Sequence, residues 1–396
     1  MSKLKTLLIL VIAAGLAVFA ALPTSEPDRE AGKDGERLFP GLLERINDVT
    51  TIDAVSGDEA LTIKREGERW VVVERFSYDA NPAQVRELLV GMSELKRIEA
   101  KTGNAKNYEK IEVADPATGG DSIGYTLKTS DGAALAKLIV GKRQLITSSN
   151  DIDQYYVRVP EEARAWLVEG KVPKHRVATD WLNTEILKIA PERVHRTSVL
   201  HADGTVVRAV KAKPGMANFA LLGVASGKEI KNDYDVHSLA TALADITFNG
   251  VEQRSAVDFT GSDLQIVIET FDGLRVTIDA AKKAKDVYLR FAAEADPSIT
   301  TLLGLTAGAP ATANADTKPD TSSGSSTEKG SANSSPESSG MTIKTAQEIA
   351  QQVQVLNARW ADWAYRVPTF NLDNVRQTVA DLAQDPTPPA APKSGS

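Results

Sequence analysis

The sequence predicts an α+β protein of two tandem repeats, each a mostly antiparallel sheet with an amphipathic helix, after an N-terminal transmembrane or signal segment. Three observations predict this class. Short alternating or β-branched runs are separated by turn residues, a helical pattern follows the first three runs, and the same order of features recurs in the second half of the chain. A chain of 396 residues has room for two such repeats.

The overall composition narrows the function. The net charge is -7 and the pI is about 5.4, which argues against a nucleic-acid binder, because such a protein needs a basic face to replace the counterions of phosphate. The chain has no cysteine, so disulfides, thiolate chemistry and cysteine-ligated metal sites are excluded. Stability must therefore come from an ordinary hydrophobic core.

The N-terminus has the pattern of an export signal. Lys3 and Lys5 precede an uninterrupted apolar run from Leu7 to Leu22, and acidic residues follow it. We interpret residues 1–23 as a signal anchor of the bacterial inner membrane, with the N-terminus in the cytoplasm and the bulk in the periplasm or outside the cell. The run lies between the length of a cleaved signal core and that of a comfortable span, so cleavage and release to the periplasm stays an alternative. Residues 24–40 read as a tether.

The first repeat is predicted to occupy residues 41–175. The segments "VTTIDAV" and "ALTIKREGERWVVVER" give three strands, and Asn81-Pro82 starts a helix with apolar residues at helical spacing. Two further strands flank the turn Asp131-Gly132, and "YYVRV" gives another. We expect residues 161–169 to form a short closing helix.

The second repeat is predicted to occupy residues 176–305, with the same succession of features. Three strands precede a helix capped by Asp235, and Asp272-Gly273 takes the place of the first Asp-Gly turn. The phrase Arg-Val-Pro, preceded by aromatic residues, closes the first repeat and returns near the C-terminus, which favours a duplication. Two unrelated α+β domains are the alternative.

The C-terminal part divides into three segments. Residues 306–341 are rich in Ser, Gly, Ala and Pro and are predicted to be a disordered insert. Residues 342–385 are expected to supply a helix and then the closing strand and helix of the second repeat. Residues 386–396 read as a disordered tail.

One apolar stripe follows the insert and is a candidate partner-binding face. Its members recur at intervals of four and three, which places them on one side of a helix. They are Ile349, Val353, Leu356, Trp360 and Trp363. The alternative is that the same face packs on its own domain, which is the commoner use of such a stripe.

Convincing catalytic, cofactor-binding and metal-ligating sets are absent from the sequence. Ser122 lies in a G-x-S-x-G match, but a nucleophile elbow needs a strand before the serine and a helix after it, and the flanking pattern predicts a surface turn. His195 and His201 could share one strand face, yet no further ligands lie near them in sequence. The predicted protein therefore has no cofactor and is not an enzyme.

The chain resembles the bacterial family known as domain of unknown function 4340. The resemblance rests on "LFPGLLERINDVTTIDAV", "LTIKREGERWVV", "NPAQVRELLVGMSELKRIEA" and "DWLNTEILKIAPERV". It implies a membrane-anchored envelope protein, of a kind often encoded beside components of ABC-type transport or gliding-motility systems. The family supplies no catalytic residues to carry over.

These observations together predict a non-enzymatic, membrane-tethered extracytoplasmic protein that acts as an accessory or scaffolding subunit of an envelope ABC-type transport assembly. Its expected partners are transporter proteins of the envelope and, through the N-terminal segment, the membrane. Two alternatives stay open: a serine hydrolase that uses Ser122, and a module that captures a ligand between the two repeats.

Overall fold

The computed structural model describes residues 35–144, 153–305 and 342–386. The predicted signal anchor and insert lie outside these residues, as does residue 387 onward of the tail. Within the described ranges, no helix has the length and apolar character needed to cross a membrane. The chain divides between Leu182 and Asn183 into two compact units.

The first unit is built on one antiparallel sheet of nine strands in the order β4-β3-β2-β1-β6-β7-β8-β9-β5. Its elements are α1 Leu42–Arg45, β1 Thr51–Ser56, β2 Glu59–Glu66, β3 Arg69–Val72, β4 Tyr78–Asp79, α2 Pro82–Glu94, β5 Lys96–Ala100, β6 Ile123–Lys128, β7 Ala134–Gln144, β8 Gln154–Arg158, β9 Ala165–Glu169 and α3 Ala178–Trp181.

The second unit is built on an eight-stranded antiparallel sheet in the order β13-β12-β11-β17-β18-β19-β20-β16, with the separate pairs β10-β15 and β14-β21. Its elements are β10 Glu185–Lys188, β11 Val194–His201, β12 Val206–Val210, β13 Ala220–Leu222, β14 Glu229–Ile230, α4 Asp233–Thr241, β15 Asp245–Thr247, β16 Gly250–Gln253, β17 Leu264–Thr270, β18 Leu274–Lys283, β19 Asp286–Ala295, α5 Pro297–Leu302, α6 Ala346–Trp360, β20 Trp363–Val367, α7 Val379–Leu382 and β21 Ala383–Gln384.

Helices α2 and α4 each begin where a side chain can cap them. In α2, Asn81 Oδ1 accepts the amide of Ala83 at 2.9 Å and proline stands at the first helical position. In α4 the cap is Asn232, whose Oδ1 accepts the amide of Asp235 at 2.8 Å. The prediction that Asp235 caps this helix is wrong, because Asp235 already lies inside it.

Corresponding strands follow one another in the same order in the two sheets. When β11 is set against β1, the series β13-β12-β11-β17-β18-β19-β20-β16 follows β3-β2-β1-β6-β7-β8-β9-β5 place by place. The hydroxyls of Thr129 and Thr270 each bond an aspartate two residues later, in the turns after β6 and β17. At the end of α3, the carbonyl oxygen of Trp181 accepts a hydrogen bond from Asn81 N at 2.7 Å. At the end of α7, the carbonyl oxygen of Leu382 likewise accepts one from Lys231 N at 2.8 Å.

Two sequence predictions about the closing elements are wrong. Residues 165–169 form strand β9 instead of a helix, and its apolar run Ala165–Val168 is buried, as befits a strand covered on both faces. The two Arg-Val-Pro phrases also do not correspond, because the first ends β8 while the second ends β20, which takes the position of β9 in the strand order.

The unit boundary also differs from the predicted end of the first repeat at residue 175. Helix α3 belongs to the first unit, where Trp181 is fully buried with its ring centroid 6.1 Å from that of Tyr125 and 4.8 Å from that of His175. Leu182 then bridges to Ala80 at the edge of the first sheet. These contacts extend the unit to Leu182.

Candidate binding site in the second unit

Helix α2 packs against the first sheet, and α4 and α6 pack against the second. The face of each sheet opposite these helices is the one that could bind a partner. In the first unit that opposite face is covered by the segment 101–122, through a cluster of Val113, Ile139 and Ala165. The close approach needs glycine, since a Cβ on Gly141 would stand 2.4 Å from the carbonyl oxygen of Ile111.

The corresponding cover in the second unit is the shorter segment 254–262. It forms a cluster at one end of the sheet, of Val257, Phe259, Ala281, Tyr288 and Ala364. Beyond this cluster, several outward side chains of β11, β17 and β18 remain partly exposed, with the buried Glu269 among them. We define the open face by two cross-strand rows, Arg196, Glu269 and Arg275 in one and Ser198, Val267 and Thr277 in the other.

The charged row of the open face is held in one hydrogen-bonded arrangement. The side chain of Glu269 is only 3% exposed, and it accepts bonds from Arg196 Nε and, at 2.9 and 2.7 Å, from Nε and Nη2 of Arg275. Arg275 also pairs with Glu294 at 3.1 Å and with Asp296 at 2.8 Å. The open face thus carries fixed rather than freely rotating charges.

Burial and ion pairing oppose each other at Glu269. Burial alone raises the pKa of this carboxyl group, but the hydrogen bonds and charges of Arg196 and Arg275 outweigh burial, so that its pKa lies below the ordinary value. Glu269 is therefore ionised at neutral pH and compensates both arginines.

A cavity of about 170 Å³ lies at the corner of the same unit, beside the turn from β17 to β18. We call it the corner cavity. The described residues around it are mostly small or apolar and come from the turn, the end of β19, α5 and the start of α6: Asp272, Gly273, Ala295, Pro297, Thr300, Leu305, Lys344, Ala346 and Ile349.

Two charged side chains border the corner cavity, and they differ in how far they are neutralised. Asp272 has a fully buried side chain and accepts two bonds from Arg193, at 3.0 and 3.1 Å, and one from Thr270. Lys344 Nζ donates to Gln352 Oε1 at 2.9 Å. Burial lowers the pKa of Lys344, and the positive charge of Arg193 lowers it further.

The predicted partner-binding stripe lies largely inside the second unit. Ile349, Leu356 and Trp360 are buried on the side of α6 that packs against β19, and Val353 is half-buried. Trp360 Nε1 donates to Ile186 O at 3.1 Å. Trp363, half-buried, belongs to strand β20 instead of the helix. This arrangement matches the packing alternative for the stripe.

Ser122 is not in the surface turn that its sequence context predicts. The residue is only 2% exposed, it directly precedes strand β6, and its hydroxyl bonds none of the residues that the structure describes. A nucleophile elbow needs the opposite order, with a strand before the serine and a helix after it. The local fold therefore does not present Ser122 as an elbow would.

His175 and His195 make polar contacts through their rings, whereas Nε2 of His201 is buried with no hydrogen bond to the described residues. His175 Nε2 lies 2.7 Å from Gln84 Oε1, and His195 Nδ1 lies 2.8 Å from Lys211 O. Burial lowers the pKa of both imidazoles. Among the described residues, no group of three or more His, Cys, Asp or Glu side chains is placed to hold a metal ion.

Sequence reasoning missed the residues that form the candidate site. Glu269 and Arg275 flank the predicted turn at Asp272-Gly273, and charged residues alternate with apolar residues on both strands. This alternation was the signal that could have predicted a charged cross-strand pair. The sequence could not predict the burial of Lys344, because this burial depends on α5 and α6 packing beside the turn from β17 to β18.

Comparison with known proteins gives a match to a family model. The family model described as Domain of unknown function (DUF4340) matches residues 70–264, which extend from β3 of the first unit to the start of β17 in the second. This match confirms the resemblance seen in the sequence. Neither the curated proteins nor the solved structures contain a match to the chain.

Proposed function

We propose that the chain is a non-enzymatic, membrane-tethered extracytoplasmic protein that serves as an accessory or scaffolding subunit of an envelope ABC-type transport assembly. The export pattern of residues 1–23 and the family likeness support the location and the transport context. The open face of the second unit supports the role in binding a protein partner.

We further propose that the two units are copies of one module. Support comes from the parallel strand orders and from the shared Thr-x-Asp-Gly turns. The relation matters for function because equivalent positions are then comparable. A face that one copy covers with its own chain and the other leaves open is the place where the copies have diverged.

The observation that carries the binding role is the ion-paired row on the open face. Glu269 is buried yet ionised, and Arg196 and Arg275 keep 39% and 30% of their side chains exposed. Preoriented arginines suit a protein interface, because they present fixed donors to a partner and less side-chain freedom is lost on binding. The neighbouring row of Ser198, Val267 and Thr277 adds an uncharged strip.

The experiment is site-specific photo-crosslinking of the full-length protein in native membranes. A photoreactive residue at Thr277 reports on the open face, and one at the exposed Lys213 of the same unit is the matched control. We expect the Thr277 probe, and not the Lys213 probe, to capture transport subunits. Capture of no protein at Thr277 above the Lys213 background would refute the proposed interface.

The absence of enzymatic activity is part of the same proposal and has its own test. Purified protein is expected to leave broad ester and peptide probes intact, because Ser122 is buried and stands before a strand. Hydrolysis that persists through purification and is abolished by Ser122→Ala would favour the hydrolase instead.

A further inference from the structure

We infer that the corner cavity is a binding site for a small monocarboxylate with a short hydrocarbon body, whose carboxylate group pairs with the ammonium group of Lys344. This site is separate from the open face and goes beyond the proposed scaffold function. The inference rests on the size of the cavity, the chemistry of its walls and the charges that border it.

The cavity is small and partly open to solvent. Its volume is about 170 Å³, which suits a small organic molecule. The side chains of Ala295, Pro297, Ala346 and Ile349, with the backbone of Gly273, form mostly apolar walls. A ligand with a hydrocarbon body complements these walls better than one that is polar throughout.

The charges at the border favour an anion over a cation. Asp272 is already compensated, since its carboxylate takes two bonds from Arg193 and one from Thr270. The remaining carboxylate near Lys344 is that of Glu348, which is exposed and receives bonds from Thr345 N and Oγ1. Exposed charges are screened by solvent, so Glu348 neutralises Lys344 weakly.

Lys344 also keeps capacity to donate. An ammonium group has three N–H donors, and within the part of the chain that the structure describes Lys344 Nζ donates to Gln352 Oε1 alone, at 2.9 Å. A carboxylate that reached Lys344 from inside the cavity would take a further N–H donor and add a negative charge close to the ammonium group. The apolar body of the same molecule would cover the walls.

Butyrate has the required size and is the probe, with butan-1-ol and butylamine as matched neutral and cationic compounds. The measurement is ligand-observed NMR titration of the full-length protein. We expect butyrate to bind with a Kd on the order of 1 mM, an ordinary affinity for about six atoms. The alcohol and the amine should each bind about tenfold more weakly or not detectably, since they lack the negative charge.

Two variants test the site independently. Lys344→Met keeps the apolar stem and removes the charge, so butyrate affinity should fall about tenfold, whereas the exposed Lys188→Met in the same unit should change nothing. Thr300→Leu fills the cavity and should also abolish binding. Circular dichroism and a melting curve confirm that each variant is folded.

Three outcomes would overturn the inference. One is equal binding of butyrate and butan-1-ol, which would show that charge is irrelevant. Another is unchanged affinity in folded Lys344→Met or Thr300→Leu protein. The third is equal loss in Lys188→Met, which would show that butyrate binds surface lysines in general.

Discussion

At the scale of single residues, Glu269 is a buried charge on which two arginines of the second unit depend. Its carboxylate is buried against β11 and β18 and is shared by Arg196 and Arg275, of which Arg275 also pairs with the more exposed Glu294 and Asp296. Removal of one partner from such a group costs more than the pair itself contributes, because the remaining charges stay partly desolvated.

We therefore predict that Glu269→Gln destabilises the second unit by about 1–3 kcal/mol at neutral pH, with a clear pH dependence. The pKa of Glu269 is lower in the folded protein than in the unfolded chain, so its stabilising effect is complete above the unfolded value of about 4.3. The effect is lost as the pH falls through the folded pKa. The difference between the two proteins should therefore shrink in acid.

Urea unfolding at pH 7 and at successively lower pH values checks this prediction. The matched control is Glu294→Gln, because Glu294 also pairs with Arg275 but its side chain is 61% exposed. The control should cost no more than about 1 kcal/mol. A Glu269→Gln penalty that does not change with pH would contradict the ionised, buried carboxylate.

At the scale of elements, the covered face of the first unit depends on a glycine in β7. A Cβ on Gly141 would lie 2.4 and 2.7 Å from the carbonyl oxygens of Ile111 and Glu112, which are backbone atoms and cannot rotate away. We predict that Gly141→Ala destabilises the first unit by about 1–3 kcal/mol and loosens the segment 101–122. Urea unfolding and limited proteolysis measure the two effects.

Gly103→Ala is the matched control for that experiment. Its Cβ would stand 3.8 Å from the nearest neighbouring heavy atom and its φ angle is not in the left-handed region, so the cost should be small. Equal stability of Gly141→Ala and Gly103→Ala would mean that the cover is not packed as closely as described.

The second element-scale prediction concerns the C-terminal strand and helix. β20 is an inner strand of the second sheet, paired with both β19 and β16, and α6 buries Ile349 and Trp360 on the same unit. We predict that truncation after Gly340 unfolds or aggregates the second unit, because it opens the sheet between two strands and exposes large apolar side chains.

Truncation after Pro386 is the control, since it removes only residues beyond the described part of the chain. It should leave the melting curve unchanged. Identical melting curves for the full-length protein and the form that ends at Gly340 would show that the second unit is complete without β20.

The sequence was most informative about elements with local signals. Asn81-Pro82 predicted the start of α2 because cap and proline act within one turn, and the Asp-Gly pairs predicted both hairpins. Residues 165–169 were misread because a short apolar run suits a buried strand as well as a helix. The open face could not be predicted, since it depends on the length of a cover from elsewhere in the chain.

At the scale of the whole molecule, the division into units determines which contacts a fragment must keep. The boundary lies after Leu182, and the seven residues that separate it from the predicted end at 175 include α3. This helix contributes to the stability of the first unit and is not a linker, because its Trp181 is one of the largest fully buried side chains.

We predict that a fragment of residues 35–182 unfolds cooperatively and that a fragment of residues 35–175 is less stable by at least about 3 kcal/mol, the cost typical of losing a buried tryptophan. The shorter form loses the packing of Trp181 on Tyr125 and His175, and the bond from Asn81 N to Trp181 O at 2.7 Å. Urea unfolding measures the difference in the free energy of unfolding. It is followed by the circular dichroism of the backbone, a signal that does not depend on Trp181.

The complementary pair of fragments supplies the control. Residues 176–386 and 183–386 differ by the same seven residues, but these residues make their packing contacts with the first unit's own core, through Tyr125 and Ala80. The fragments 176–386 and 183–386 should therefore unfold at the same urea concentration. If residues 176–182 stabilised the second fragment and left the first unaffected, the boundary would belong at residue 175, and Trp181 would be part of the second module.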